Sequence, residues 1–281
     1  VQKTRAVDRW FKNTARLAAE KNMPVIAELF LGQSCEETEP LKRIPAPRLT
    51  FDQVGAVRNV YGISGIKEYY GDVPNDGDPC LEMVGCMLRE PGKSAGGYIE
   101  MISAPYGKAA AHIQEMWESA ARGYELYPWD VSWYAREAGR ANIDHGWDAA
   151  FLRGQQCSTP SWESSRHSVF MKTDDCQPHP WMLEDIQLRC AWAAELLEKA
   201  AEQGSDALDC LAGKGGKEEG YIREAVRDLS CFARVCRSYE LHLRETNVAE
   251  LIRESFRERG GAGEALFEEM RRLLERDRDN Q

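Results

Sequence analysis

The segment spanning residues 62–71 carries the densest group of side chains that can do chemistry. It begins with small and β-branched residues, as β-strands do, and ends in Lys67, Glu68, Tyr69 and Tyr70. An ammonium group, a carboxylate and two phenol rings at the carboxyl end of a strand fit the place where parallel α/β folds hold their active sites. Two stacking rings beside a carboxylate also suit a sugar, because sugars offer apolar C–H faces and many hydroxyl groups. The segment therefore predicts a carbohydrate site.

A second acid, Glu28, lies near the end of the preceding predicted strand, Met23–Leu31. If the two strands are neighbours, about 4.8 Å apart, Glu28 and Glu68 could reach the separation that glycoside hydrolysis requires. That separation is about 5 to 5.5 Å for retaining enzymes and about 6.5 to 9.5 Å for inverting ones. Three roles stay open for these acids: catalysis, hydrogen bonding to substrate and, for Glu28, a structural ion pair with Lys67 or an arginine.

Two other regions could contribute substrate contacts. The loop after the first strand contains Glu36, which could hold sugar hydroxyls or a cation, although a solvated acidic loop is the commoner explanation. Seven of the eight tryptophans fall in the middle of the chain, where Trp129 and Trp133 lie among polar residues. That mixture suits a carbohydrate cleft or a wet domain interface. Trp117 and Trp192 lie on helical faces and are predicted to be core.

The elements that must position these residues are predicted from the spacing of apolar residues. Before the second strand the spacing predicts, in order, a helix over residues 5–21, the first strand, a polar loop and a helix from Phe51 to Tyr61. Thr50 is the predicted N-cap of that last helix. This is the order of βα units joined by right-handed crossovers. Helix patterns then dominate, over Leu81–Arg89, Ala95–Ile102, Gly107–Leu126, Trp181–Gln203, Glu218–Glu245, Ala249–Glu258 and Gly263–Arg276.

Composition limits the classes of protein that this chain can belong to. Its 281 residues include 43% hydrophobic and 29% charged residues, as in globular proteins. A formal charge of −10 argues against nucleic acid and anionic membranes as partners, and no apolar run approaches the roughly 20 residues that cross a bilayer. Nine scattered cysteines without a C-x-x-C pair favour reduced thiols in a cytoplasmic protein. The histidines form no metal-binding motif, so no metal is predicted.

Four motifs in this chain carry a resemblance to a known family. They are Gly65-Ile66-Lys67-Glu68-Tyr69-Tyr70-Gly71, Tyr106-Gly107-Lys108-Ala109-Ala110 with Trp117, Tyr127-Pro128-Trp129, and Pro180-Trp181-Met182-Leu183-Glu184-Asp185-Ile186-Gln187-Leu188-Arg189. These motifs resemble those of uncharacterised glycoside-hydrolase-like bacterial proteins, which are similar to α-glucuronidase and family 20-like hexosaminidase barrels. The resemblance covers residues 23–192. In such proteins the last barrel strands are followed by a helical domain.

The resemblance implies an α/β part followed by a mostly α part. Residues 1–78 would be the last βα units of a (β/α)8 barrel. Residues 79–281 would form a C-terminal helical domain, with an aromatic-rich irregular segment at 127–180. The first residue, a valine, suggests a processed chain or a fragment, so the partner could be a missing N-terminal barrel portion. Unpaired strand edges also predict a homo-oligomer.

The expected function is that of a carbohydrate-active protein, the C-terminal portion of a glycoside hydrolase that uses carboxylate acid/base catalysis and no cofactor. The alternative is a non-catalytic helical module that binds carbohydrate or another protein. Glu68 and Glu28 are the predicted catalytic residues, and the predicted substrate contacts are Lys67, Tyr69, Tyr70, Glu36, Trp129 and Trp133.

Overall fold

The computed structural model describes residues 7–30, 44–69, 77–128, 180–211 and 216–280, and helices make up about 80% of them. Two strands, β1 (Val25–Phe30) and β2 (Ile63–Tyr69), pair in parallel. The α-helices are α1 (Arg9–Glu20), α2 (Pro47–Arg58), α3 (Pro79–Arg89), α4 (Ala95–Ser103), α5 (Ala110–Leu126), α6 (Pro180–Leu211), α7 (Lys217–Arg259) and α8 (Glu264–Asn280), with a 3-10 helix (Ala104–Ala109) before α5.

The prediction of an α/β barrel portion is wrong, because the protein is mostly helical. A barrel of this type closes with eight strands, whereas the described residues hold one β–α–β unit and otherwise helices. A near-continuous apolar run such as residues 23–31 is typical of a strand that is covered on both faces. In β1, however, Ala27 is buried while its neighbour Ile26 is 66% exposed. Helices cover one face of the sheet, so the run is amphipathic in practice.

The chain groups into two compact units. The first comprises Val1–Glu125 and Leu196–Ser230, and the second comprises Leu126–Glu195 and Cys231–Gln281. Helices α6 and α7 each contribute residues to both. Within the first unit α2 contacts β2, α3 and α4, so elements on the two sides of residue 78 touch each other.

Helix starts in the first unit follow the local chemistry of capping. Asp8 Oδ1 accepts hydrogen bonds from the backbone N–H groups of Trp10, at 2.7 Å, and Phe11, at 3.2 Å, and so begins α1. Asp78 does the same for α3, where its Oδ1 accepts from the backbone N–H of Cys80 at 2.8 Å. Both aspartates satisfy amide groups that lack an intrahelical partner.

Helix α2 begins earlier than its predicted N-cap, Thr50. Its first residue is Pro47, whose fixed φ suits that position, and Ala46 is the N-cap residue. Thr50 lies inside the helix, where its Oγ1 donates to the carbonyl of Ala46 at 3.2 Å. The predicted N-cap at Thr50 is therefore wrong, because the proline signal outweighs the threonine signal.

One part of the core of the first unit lies between α5 and the parts of α6 and α7 that belong to this unit. Trp117 on α5 is 1% exposed and meets the ring of Tyr106 edge-on, with centroids 6.0 Å apart. Burying a large side chain of this kind contributes roughly 1.5–3 kcal/mol. The other fully buried side chains here are apolar and come from all three helices, among them Ile113, Met116, Leu197, Ile222 and Leu229.

The second unit contains a buried aromatic contact and an arginine on α6 that donates hydrogen bonds to carbonyl groups at the end of α5. The ring centroids of Tyr127 and Phe232 are 5.0 Å apart. Arg189 on α6 donates from Nε to the carbonyl of Leu126, at 3.1 Å, and from a terminal nitrogen to the carbonyl of Tyr127, at 3.3 Å. Cationic donors satisfy the last carbonyls of a helix in this way.

A turn at Gly62 positions β2 against α1. Gly62 has φ of +90°, in the left-handed region that L side chains rarely adopt. A Cβ on this residue would lie 2.5 Å from the carbonyl oxygen of Ala15 on α1 and 3.0 Å from the Cβ of Ala19. Glycine is therefore required here for its conformation and for the close approach of the two backbones.

We predict that Gly62→Ala lowers the free energy of unfolding by about 2 kcal/mol or more, since it adds left-handed strain and a backbone clash. The matched control is Gly55→Ala, because Gly55 lies inside α2 with nothing within 4 Å of an added Cβ. There alanine should be neutral or stabilising by about 0.5–1 kcal/mol. Urea denaturation followed by circular dichroism measures both. A wild-type midpoint for Gly62→Ala would contradict the assigned role of this turn.

Candidate functional site

The two strands that carry the predicted acids are neighbours. β1 and β2 run in parallel, so their carboxyl ends meet at one edge of the sheet. In the observed register Glu28 lies opposite Lys67, whereas Glu68 lies opposite Leu29 and Tyr69 opposite Phe30. The strand neighbour of Glu28 is thus the lysine and not the second acid.

Glu28 and Lys67 form an ion pair across the two strands. The Nζ atom of Lys67 donates to Oε1 of Glu28 at 3.0 Å. The Glu28 side chain is 46% exposed and the Lys67 side chain is 63% exposed. The ion pair that the sequence left open for Glu28 is therefore present. Lys67 keeps two N–H donors for other partners, and the carboxylate keeps most of its acceptor capacity.

Ile26 and Gly65 lie on the same sheet face as this ion pair. They are register partners, two residues before Glu28 and Lys67, and side chains two apart in a strand share a face. A Cβ on Gly65 would be 3.9 Å from Cγ1 of Ile26, so the absent side chain leaves open space beside that isoleucine. We call the four residues Ile26, Glu28, Gly65 and Lys67 the sheet-face patch. It joins an apolar surface to a paired acid and base.

The sequence predicted Glu28 and Lys67, the charged half of the sheet-face patch, as site residues but not Ile26 and Gly65. The signal that could have found them is the two-residue period of a strand, which places position 26 with 28 and position 65 with 67. The apolar run of β1 concealed that period, because apolar residues occur on both of its faces and only Glu28 interrupts them.

The other predicted site residues are only partly covered by the structure. The backbones of Glu68 and Tyr69 form the last two residues of β2, and their side chains lie outside the described part. Tyr70, Glu36, Trp129 and Trp133 lie outside the described residues altogether. The catalytic role of Glu68 and the substrate contacts of the aromatic residues stay predictions.

Two buried groups that could in principle react are held in their neutral forms. Burial raises the pKa of the Cys190 thiol far above its usual range, although the charge of Arg189 opposes the shift. Burial also raises the pKa of the Tyr106 hydroxyl, with smaller contributions from Glu218 and other acids. A thiol must ionise to act as a nucleophile. Both groups therefore serve packing.

The described residues hold no group of three or more histidine, cysteine or acidic side chains arranged for a metal ion. Within the same ranges, no helix combines the length and the apolar character that crossing a membrane requires. Six cysteines fall in these ranges, and all six are free thiols.

Comparison of the chain with protein-family models, with curated proteins and with solved structures found no match. The resemblance to glycoside-hydrolase-like proteins therefore stays a prediction that rests on sequence motifs.

We predict that Glu28→Gln and Lys67→Gln each change the free energy of unfolding by less than about 1 kcal/mol, because exposed ion pairs contribute little. The matched control is Glu20→Gln, which breaks the exposed pair between Arg16 and Glu20 on α1. Urea denaturation compares the three variants. A loss above about 2 kcal/mol for Glu28→Gln or Lys67→Gln alone would contradict this reading and show that the pair holds β1 to β2.

Proposed function

We propose that this chain is a mostly helical carbohydrate-binding protein and that the sheet-face patch forms part of its ligand contact. The observation that carries the proposal is the exposed Glu28–Lys67 pair on an open sheet face. A carboxylate accepts hydrogen bonds and an ammonium group donates them, so the pair matches the alternating donors and acceptors of sugar hydroxyls. Hydrogen bonds to charged groups contribute about 1.5–3 kcal/mol each.

The apolar half of the patch supports the same ligand class. Ile26 is 66% exposed directly beside the ion pair, and Gly65 leaves room over the strand. Binding sites for small ligands combine apolar surface with a few polar groups that fix orientation. The tyrosines that follow Lys67 in the sequence, Tyr69 and Tyr70, would extend the contact by stacking on sugar rings.

Binding is favoured over catalysis by the surroundings of Glu28. A glycosidase acid keeps its proton because an apolar pocket disfavours the charged carboxylate. Glu28 lies in the opposite environment, since it is 46% exposed and paired with Lys67. Its oxygen atoms therefore suit hydrogen bonding to a ligand better than proton transfer.

Hydrolysis of glycosidic bonds is the second candidate, and the placement of Glu68 favours it. Glu68 follows Lys67 at the carboxyl end of β2. A carboxylate there, with a second acid, could carry out acid/base hydrolysis.

We also propose a cytoplasmic location, which the free thiols among the described cysteines support. Copies of the chain would associate through the edges of the sheet.

We expect the protein to bind one or more soluble polysaccharides, and Lys67→Gln and Glu28→Gln to weaken binding about tenfold. Affinity gel electrophoresis with a panel of neutral and uronic acid polysaccharides identifies the ligand, and calorimetry with its oligosaccharides gives the dissociation constant. The panel separates charge from shape: Lys67→Gln should affect uronic acid ligands most if the ammonium group pairs with their carboxylates.

Glu20→Gln is the control, because it removes an equally exposed paired acid from α1 rather than from the sheet. It should bind as the wild type does. If no polysaccharide retards the wild type, or if both patch variants bind normally, the sheet-face patch is not a carbohydrate site.

Chromogenic glycosides test the second candidate with the same proteins. Turnover by the wild type that Glu68→Gln abolishes, with binding retained, would replace the binding proposal by hydrolysis. Binding without turnover supports the proposal as stated.

A further inference from the structure

Within the second unit, the part of α7 after Ser230 forms an antiparallel hairpin with α8. The turn between them contains Gly260, with φ of +74°, and Ser255 Oγ donates to the carbonyl of Gly261 at 2.8 Å. Farther from the turn, Ser238 Oγ on α7 donates to Oδ1 of Asp277 on α8 at 3.0 Å. The apolar contacts between the helices form one cluster, composed of Leu241, Val248, Ile252, Met270 and Leu273.

Glu245 is a mostly buried acid in this hairpin. Its side chain is 15% exposed, and its Oε1 atom is buried without a hydrogen-bond partner among the described residues. Its Oε2 atom lies 3.9 Å from Nδ1 of His242, one turn earlier on α7. A carboxylate oxygen that loses water without gaining a donor is strongly disfavoured in its charged form.

Charges across the hairpin add to this effect. Burial raises the pKa of Glu245 above its ordinary value of 4.5, the negative charge of Asp277 on α8 raises it further, and His242 lowers it. The contact that α6 makes nearby is uncharged, since Asn247 Nδ2 donates to Oε1 of Gln187 at 3.5 Å. Among the described residues, the charged groups that shift the pKa of Glu245 are Asp277 on α8 and His242 on α7.

We propose that the packing of the α7–α8 hairpin depends on pH. Uptake of one proton at Glu245 tightens the packing of α8 on α7. The proton comes from solvent, and it removes the charge of Glu245, which the negative charge of Asp277 on α8 repels. It also removes the charge from a carboxyl group whose buried Oε1 atom has no hydrogen-bond partner among the described residues. Loss of the proton restores the repulsion and the unsolvated charge, so the hairpin opens more readily.

The direction of the pH dependence follows from proton linkage. Because Glu245 binds its proton more tightly in the folded hairpin than in the unfolded chain, folding takes up protons above pH 4.5. The stabilising contribution is fully present below that pH and is lost as the pH rises through the folded pKa. Positive charge on His242 favours the ionised form of Glu245 and therefore opposes this proton uptake.

Hydrogen exchange tests this, because it reports opening of one helix pair within the whole chain. Protection factors of the α8 amides, corrected for intrinsic exchange, are measured by mass spectrometry at about pH 5 and about pH 7.5. In the wild type we expect protection to fall between the two values. In Glu245→Gln, which has no titrating group, we expect the fall to disappear and protection at the higher pH to exceed that of the wild type.

Glu254→Gln is the matched control, because Glu254 lies on the exposed side of the same helix. It should reproduce the wild-type fall in protection. Asp277→Asn keeps an acceptor oxygen for Ser238 and removes only the facing charge, so it should reduce the fall without abolishing it. Circular dichroism checks that each variant is folded. An unchanged fall in both Glu245→Gln and Asp277→Asn would overturn the proposal.

Discussion

Close approach of three helices at Gly204 is the constraint on which the first unit depends. A Cβ on this α6 residue would meet Val226 of α7 and the sulfur atom of Met116 on α5, the sulfur at 2.8 Å. Since only a hydrogen atom fits, the helices pack tightly and exclude water from their shared interior. Ile113 and Ile222, from α5 and α7, are accordingly 0% exposed. Protein interiors are close-packed in this way, and their stability depends on that density.

In the second unit, α7 carries two acids, Glu240 and Glu245, whose hydrogen-bond partners differ. Glu240 accepts a hydrogen bond from Arg237 at 2.7 Å and one from Arg244 at 3.4 Å, so its charge is neutralised by donors on the same helix. Glu245 lies little more than one turn farther on and has a buried oxygen with no partner in the described part of the chain. Burial of an acid without a hydrogen-bond partner favours its protonated form and therefore links folding to proton uptake.

The existence of the helices was predictable, and their ends and joins were less so. The spacing of apolar residues predicts α3, α4 and α5 closely, because it is a local property. The sequence predicted two helices where α7 runs unbroken from Lys217 to Arg259. The barrel prediction failed for a different reason: two strands with apolar sequences do not show how many further strands pair with them.

Local sequence determined that Glu28 and Lys67 lie on strands, and it limited the partners of Glu28 to a short set. Tertiary structure decided that these strands are adjacent, that Lys67 is the partner, and that Ile26 beside them is exposed. Tertiary structure also decided the burial of two tryptophans predicted to be core, since Trp117 is 1% exposed and Trp192 is 53% exposed. A helical period shows which residues share a face. Whether that face is buried depends on neighbouring elements far away in sequence, and no local pattern encodes them.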